Sequence, residues 1–452
     1  MRHALLATAA AAILSIAASG SGRAETLIEA LADAYNNNPQ ILAERANLRA
    51  TDEAVPQALS GWRPTVTFTG SIGAQHVEDR PPSVFVGGPI PRVADLNIAQ
   101  PVYTGGRTVA LTAQAEKTVE AERARNIATE GTVFLSVIQA YLDVVRDQAT
   151  LELSVNNEQV LRKQLEATAD QFRVGAVTRT DVAQAEARLA GATASRLQAE
   201  GNLKVSRANY ERAVGHPPEI LAAADLRPVL PATRDDAINI AARNNPNVIA
   251  AIFTEDAARD AIDATRAQLL PSLNLVGDVN RTVSTVVDNQ TQSAASLIAR
   301  VTVPLYEGGN IYSQTRQATE VLGQRRGQTD DARRAAVQGA TQAWEQTFSG
   351  RAQIISLQST VRAAEIALEG TQEEQKVGAR TILDVLNAEQ ELFTNRVQLV
   401  TVQHDLALAE FNLALQIGQL TAADLRLPVK LYDVDEHYRE VRNKWLGFGA
   451  KP

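Results

Sequence analysis

A nine-residue stretch occurs twice in the chain and constrains everything around it. It reads Val174-Gly175-Ala176-Val177-Thr178-Arg179-Thr180-Asp181-Val182, and again Val377-Gly378-Ala379-Arg380-Thr381-Ile382-Leu383-Asp384-Val385. Each copy lies between two long helical patterns rich in Ala, Gln and Glu. Gly tolerates the left-handed conformation that ends a helix. Thr and Asp just beyond it suit the N-cap and first turn of the next helix. Each copy therefore predicts a tight turn between two antiparallel helices. The copies are 203 residues apart, from Gly175 to Gly378 and from Asp181 to Asp384.

The duplication reaches well beyond the turns. Thr26-Leu27-Ile28-Glu29 is a capping-box pattern opening a helix, and Thr233-Arg234-Asp235-Asp236 opens its counterpart. Asn37-Asn38-Pro39 and Asn244-Asn245-Pro246 mark a break and restart, because Pro suits the first helical position after an Asn cap. Pro64 and Pro271 stop these helices. Period-two alternation follows, with Val66 and Phe68 among threonines, and Leu273, Leu275 and Val279 among Asn274, Asp278 and Asn280. Such a period predicts a strand with one wet and one dry face. Turn-rich loops (Arg80 to Pro89, and Asp288-Asn289-Gln290) lead to return strands around Leu96 and Ile98, and around Leu297 and Val301. The return strands end at Pro101 to Gly106 and Pro304 to Gly309. These Gly pairs lack the Gly-Lys-Ser/Thr context of a phosphate loop and read as sharp strand-to-helix junctions. Pro-free helical patterns then run from about Arg107 to Val174 and from about Asn310 to Val377, each on the order of 100 Å long. Such lengths indicate coiled coil. After each Gly turn a shorter helix returns, about half as long, and the capped helix of the other repeat is expected to supply the other half of the column.

The organisation that follows is a signal peptide over 1–24, a first repeat over 25–216, a linker over 217–232, a second repeat over 233–427 and a tail over 428–452. The first repeat holds a β-hairpin at 64–101 and a helical-hairpin tip at 174–182; the second holds them at 271–304 and 377–385. The signal reading rests on Met1-Arg2-His3, the apolar run Ala4 to Ala18 and the small-residue site Gly22-Arg23-Ala24. Linker and tail fall at the helix joints and are expected to form a belt. Four strands cannot close a barrel, for which about eight is the practical minimum, and open edges are a hazard. Three copies give a 12-stranded barrel and a bundle of 12 helical columns, and closed rings are the usual homo-oligomer.

Composition excludes several classes. The chain has 452 residues, 45% hydrophobic but only 4% aromatic, which argues against a large globular core built on rings. Net charge is −8 with both signs interspersed, so nothing suggests nucleic acid. Without Cys there are no disulfides, thiolate sites or N-terminal lipid attachment. His3, His76, His216, His404 and His437 are scattered without metal-ligand spacing, and no Ser nucleophile elbow appears, so neither enzyme, metal site nor cofactor is expected. An exported trimeric coiled-coil adhesin or spacer that does not conduct is the competing class. A periplasmic adaptor would need a lipoyl-like β-domain that is not found. Trp62, Tyr103 and Tyr306 fall where strand meets helix; they suit an interfacial girdle and equally suit packing against a neighbouring column.

With two repeats, two hairpins, paired long helices and a Val-Gly-x-x-Thr-x-x-Asp-Val tip in each, the chain resembles the TolC family of outer-membrane efflux and type I secretion channels. The resemblance covers essentially the whole mature chain. It implies a mostly α fold with a β-barrel part. In the homotrimer a 12-stranded outer-membrane β-barrel is continuous with a long 12-helix periplasmic barrel. The implied partners are outer-membrane lipid, a periplasmic adaptor (membrane-fusion) protein and an inner-membrane transporter of the RND, ABC or MFS class. Val174, Gly175, Thr178, Val377, Gly378 and Thr381 match the adaptor-contacting tips. Asp384 matches a gate carboxylate forming a ring around the pore, and Asn387 stands where a second Asp is usual. Arg380, Thr180 and Asp181 match a latch tying the inner helix pair to its neighbour, in which Gln375 replaces a Tyr. Three Asp384 carboxylates near a three-fold axis would repel and gain affinity for protons and cations. Asp384 also reads as a plain first-turn helix carboxylate, like its twin Asp181.

Overall fold

The computed structural model describes residues 24–74, 90–223, 225–285 and 290–449. The signal-peptide reading and most of both hairpin loops, including Arg80 to Pro89, Asp288 and Asn289, lie outside these residues. In chain order the helices are α1 (Leu27–Asn37), α2 (Pro39–Asp52), α3 (Ala54–Leu59), α4 (Arg107–Arg173), α5 (Arg179–Val214), α6 (Arg234–Asn244), α7 (Pro246–Arg266), α8 (Asn310–Lys376), α9 (Ile382–Gln416) and α10 (Glu436–Val441). The strands are β1 (Thr65–Ile72), β2 (Arg92–Tyr103), β3 (Ser272–Val283) and β4 (Thr291–Thr302). α4 and α8 have 67 residues each, about 100 Å apiece.

The chain divides into two compact units, one of residues 24–42, 130–237 and 339–431, the other of 43–129, 238–338 and 432–449. In the first unit α1 starts with a complete capping box: the Glu29 N–H donates to the Thr26 hydroxyl, and the Glu29 carboxylate accepts from the Thr26 N–H. Leu27, Ala30, Leu31 and Ala34 then recur at helical spacing and are buried. Two pairs of aromatic rings meet here. Tyr35 meets Phe134 with ring centroids 6.2 Å apart, and Tyr141 meets Tyr210 at 6.3 Å. Asn38 Nδ2 donates to the Ala213 carbonyl over 3.0 Å, so the break after α1 meets the end of α5. The two belong to the same repeat, where sequence spacing pointed to the other. Short-range capping patterns specify that a helix ends but not which helix it meets.

The second unit contains the sheet, antiparallel throughout in the order β1-β2-β3-β4. All four glycines of the two strand-to-helix junctions have positive φ, from 61° to 86°. At Gly105 the space is also taken: a Cβ would lie 2.6 Å from the Ala267 carbonyl oxygen. At its counterpart Gly308 nothing stands within 4 Å. Both Gly pairs act as junctions, as their lack of phosphate-loop context predicts. The tail packs inside this unit. His437 Nδ1 lies 3.1 Å from Oδ2 of the buried Asp52, Arg123 pairs with Asp435 at 2.6 Å, and Arg442 pairs with Glu116 at 3.0 Å.

Candidate functional site: the hairpin tips and the two faces of the sheet

Both tips, in the first unit, are built the same way. Gly175 and Gly378 have φ of 75° and 81°. The Ala176 N–H reaches the Gln171 carbonyl and the Gly175 N–H the Phe172 carbonyl; Ala379 to Glu374 and Gly378 to Gln375 repeat both bonds. This pair of bonds is the Schellman closure of a helix end. The next helix is capped at once. The Asp181 N–H donates to the Thr178 hydroxyl, while Asp181 Oδ2 accepts from the Thr178 N–H at 2.8 Å and from its hydroxyl at 2.7 Å. Asp384 and Thr381 repeat this at 2.9 Å and 2.8 Å. Four backbone N–H groups of each turn are thus spent internally, and the tips expose apolar side chains, with Val174 and Val377 80% and 81% exposed.

The cap bonds also set the charge. The Thr381 N–H, then the Thr381 hydroxyl, hold the Asp384 carboxyl below the usual carboxylate range, and Arg380 adds to this. Asp181 is held down by the same two groups of Thr178. Within one chain these bonds act against the gain in proton affinity expected for a ring of Asp384. A group with raised proton affinity stands five residues on, at Glu389. There burial outweighs the bond from Gln372 Nε2, 3.2 Å away, and the field of Arg396.

The remaining candidates are brought together only in part. Arg380 Nε pairs with Glu374 at 2.8 Å inside its own turn. Thr180 is exposed, and Gln375 is half-buried, with its carbonyl accepting from Gly378. Asn387 Oδ1 accepts from Arg188 Nη2 over 2.8 Å, which ties the second hairpin to the first. Under this bond Ile382 and Leu386 pack against Leu161, Ala185 and Ala192. Sequence reasoning passed over Arg188 and Glu389. The only signal for Arg188 is its place seven residues, two helical turns, after Asp181.

The sheet has two unlike faces. Register places Val66 opposite Ile98 and Phe68 opposite Leu96, and continues from Leu96 to Val279 and from Leu273 to Val301. These apolar side chains share a face, and Phe68 and Leu297 are each 72% exposed on it. The other face carries Thr67, Asn97, Asp278 and Ser296 in one row and Thr69, Asp95, Asn280 and Ala294 in the next. Asn280 Nδ2 donates to Asp278 Oδ1 over 3.3 Å. Among the described residues no helix is long and apolar enough to cross a membrane. A sheet apolar on one face and polar on the other is the make-up of a channel wall that meets lipid on one side and water on the other.

A family model for outer membrane efflux proteins matches residues 30–216 and 237–419, and the chain belongs to that family. It is an outer-membrane efflux channel of the TolC kind. The chain is 33% identical over 445 residues to outer membrane efflux protein BepC of Brucella suis, covering 97% of this chain and 96% of that one. It is 28% identical over 411 residues to outer membrane protein TolC of Vibrio cholerae, covering 89% and 92%. The outer membrane channel CmeC of Campylobacter jejuni shares the fold, with a TM-score of 0.80 over 93% of this chain and 89% of that one at 15% identity. These relatives are channels and efflux proteins, in keeping with a role that involves no catalysis and giving no support to the adhesin reading.

Proposed function

We propose that three copies assemble into a 12-stranded barrel in the outer membrane, continuous with a 12-helix periplasmic barrel. This channel gives passive exit to cargo in an efflux or type I secretion system. The two-faced sheet carries this reading: its edge strands β1 and β4 each have one neighbour, and closure through further copies pairs the free edges while keeping the apolar face towards lipid. The helices support it as well. Phe348, Ile355 and Ile366 are 68%, 67% and 66% exposed on α8, and their spacings of 7 and 11 residues return to one stripe. The linker over 217–232 and the tail over 428–452 form a belt in this arrangement, and cleavage follows residue 24.

At the tips, Val174, Gly175, Thr178, Val377, Gly378 and Thr381 meet a periplasmic adaptor, which links the channel to an inner-membrane transporter of the RND, ABC or MFS class. Self-contained turns with exposed valines are suited to seating in another protein's apolar grooves. Asp384 and Asn387 narrow the passage, and Arg380, Thr180, Asp181 and Gln375 hold it shut. Asp384 is ionised at neutral pH, so a ring of it favours cations. Single-channel recording in planar bilayers tests this: Asp384→Ala lowers the preference for cations over anions while leaving barrel conductance intact. Unchanged selectivity removes Asp384 from the passage.

A further inference from the structure

A further group of titratable side chains stands in the first unit, apart from the tips and the sheet. Glu25 precedes α1, Asp33 lies within α1, and His216 follows the end of α5. One ligand atom from each lies within 4.8 Å of the other two. They line an open cleft of about 300 Å³ with Glu29 and Glu219, four carboxylates around one imidazole. We propose that Glu25, Asp33 and His216 form a Zn2+ site, with Oε1, Oδ2 and Nε2 as ligands and water in the fourth position.

Four observations carry the proposal. First, His216 Nε2 is 3.7 Å from Glu25 Oε1 and 3.6 Å from Asp33 Oδ2. Those gaps are too long for hydrogen bonds. They are close to the edge of a tetrahedral zinc site, about 3.4 Å for metal–ligand bonds of about 2.0–2.1 Å. Asp33 is half exposed and has the freedom to close the remaining gap. Second, His216 Nδ1 is 3.1 Å from the Pro217 carbonyl oxygen. Donation there places the proton on Nδ1 and turns the Nε2 lone pair towards the carboxylates, the outer-shell arrangement of zinc-binding histidines. Third, the Tyr210 hydroxyl donates to Glu25 Oε1, and the Tyr210 ring meets the His216 ring edge-on with centroids 6.1 Å apart. One side chain thus orients two of the ligands. Fourth, Glu25 Oε2, the oxygen beside the proposed ligand atom, is buried without a hydrogen-bond partner, so a bound cation would offset part of the carboxylate's desolvation. The absence of thiolates and the mixed nitrogen–oxygen set fit Zn2+ and argue against Cu(I).

Such an ion would fasten the first helix to the linker. The Glu25 nitrogen, which the proposed cleavage makes the amino terminus, donates to the Ile220 carbonyl at 2.8 Å and the Ala222 N–H to the Glu25 carbonyl at 2.9 Å, so the linker already runs beside Glu25. The alternative is a protonated His216 held between two carboxylates with no metal. Calorimetric titration of the tag-free, chelator-stripped full chain in detergent with Zn2+ separates the two. One Zn2+ per chain is expected, with a higher melting temperature when it is bound. Asp33→Asn and His216→Gln each weaken binding by at least about tenfold, and Tyr210→Phe by about tenfold, since loss of an outer-shell partner typically costs 10–100-fold. A wild-type chain that takes up no Zn2+, or variants that bind it equally well, overturns the site. Bilayer conductance of the same variants reports separately on the channel.

Discussion

The two longest helices have the same length and open after the same Gly pair, yet they meet different surroundings. α4 buries Val133, Phe134, Val137, Ile138 and Tyr141 within its own chain. α8 leaves Phe348, Ile355 and Ile366 bare. Counting back 203 residues, Glu152 and Lys163 of α4 stand where α8 has Ile355 and Ile366. At these two positions one copy carries charged side chains and the other bare apolar ones, while Phe348 of α8 stands where α4 has Val145. The lesson is that a repeat preserves its backbone devices, the caps and turns, while its side chains are free to divide the work of folding and assembly.

The strongest way to break this comparison is to make α8 resemble α4. Ile355→Glu combined with Ile366→Lys, the residues α4 carries at those positions, is expected to abolish the proposed trimer, read by light scattering coupled to size exclusion in detergent, with helix content unchanged. A trimer that persists means the bare stripe of α8 is not an assembly face.

A smaller effect separates the two junctions. Gly308→Ala is expected to cost about 1–2 kcal/mol, the ordinary penalty of left-handed backbone for an L-residue. Gly105→Ala meets the Ala267 carbonyl as well and should cost clearly more. Equal losses of thermal stability would mean the junction of the first repeat relaxes away from Ala267.

The smallest effect concerns a position where the repeats differ in charge. His404, buried on α9, stands where the first repeat has Gly201. Its Nε2 lies 3.0 Å from Asp143 and its Nδ1 2.9 Å from Asp405. Burial disfavours the charged ring and Arg146 opposes it, but the Asp143 and Asp405 carboxylates beside it prevail and raise its pKa above the usual value. A raised folded-state pKa stabilises fully below the unfolded value and is lost as pH climbs through the folded one. The melting-temperature advantage of wild type over His404→Gln should therefore be fullest below the ordinary imidazole range and shrink as pH rises through and above it. An advantage constant across that range would assign His404 to packing alone.

What could be read from the sequence was what lies close along it. Thr178 with Asp181, and Thr381 with Asp384, are three residues apart and form the capping boxes their spacing predicts. Strand alternation predicted the two-faced sheet, because a period of two needs no knowledge of partners. Pairings across long separations were hidden. Arg188 reaches Asn387 across 199 residues, and His216 reaches Glu25 across 191. No local pattern marks either. The same limit applied to α5, whose end meets Asn38 through a contact that capping rules do not encode. The absence of metal-ligand spacing among the histidines was a statement about neighbours in sequence, and folding supplied different neighbours.

One detail of the second turn has a mechanical consequence. Asp384 has one oxygen tethered to the amide and hydroxyl of Thr381, so swinging its charge aside breaks both bonds of the cap. An aperture narrowed by such a carboxylate has no side-chain shutter. In the gate proposed above, widening would then come from displacing the rod that bears it, a task for a force applied from outside the protein.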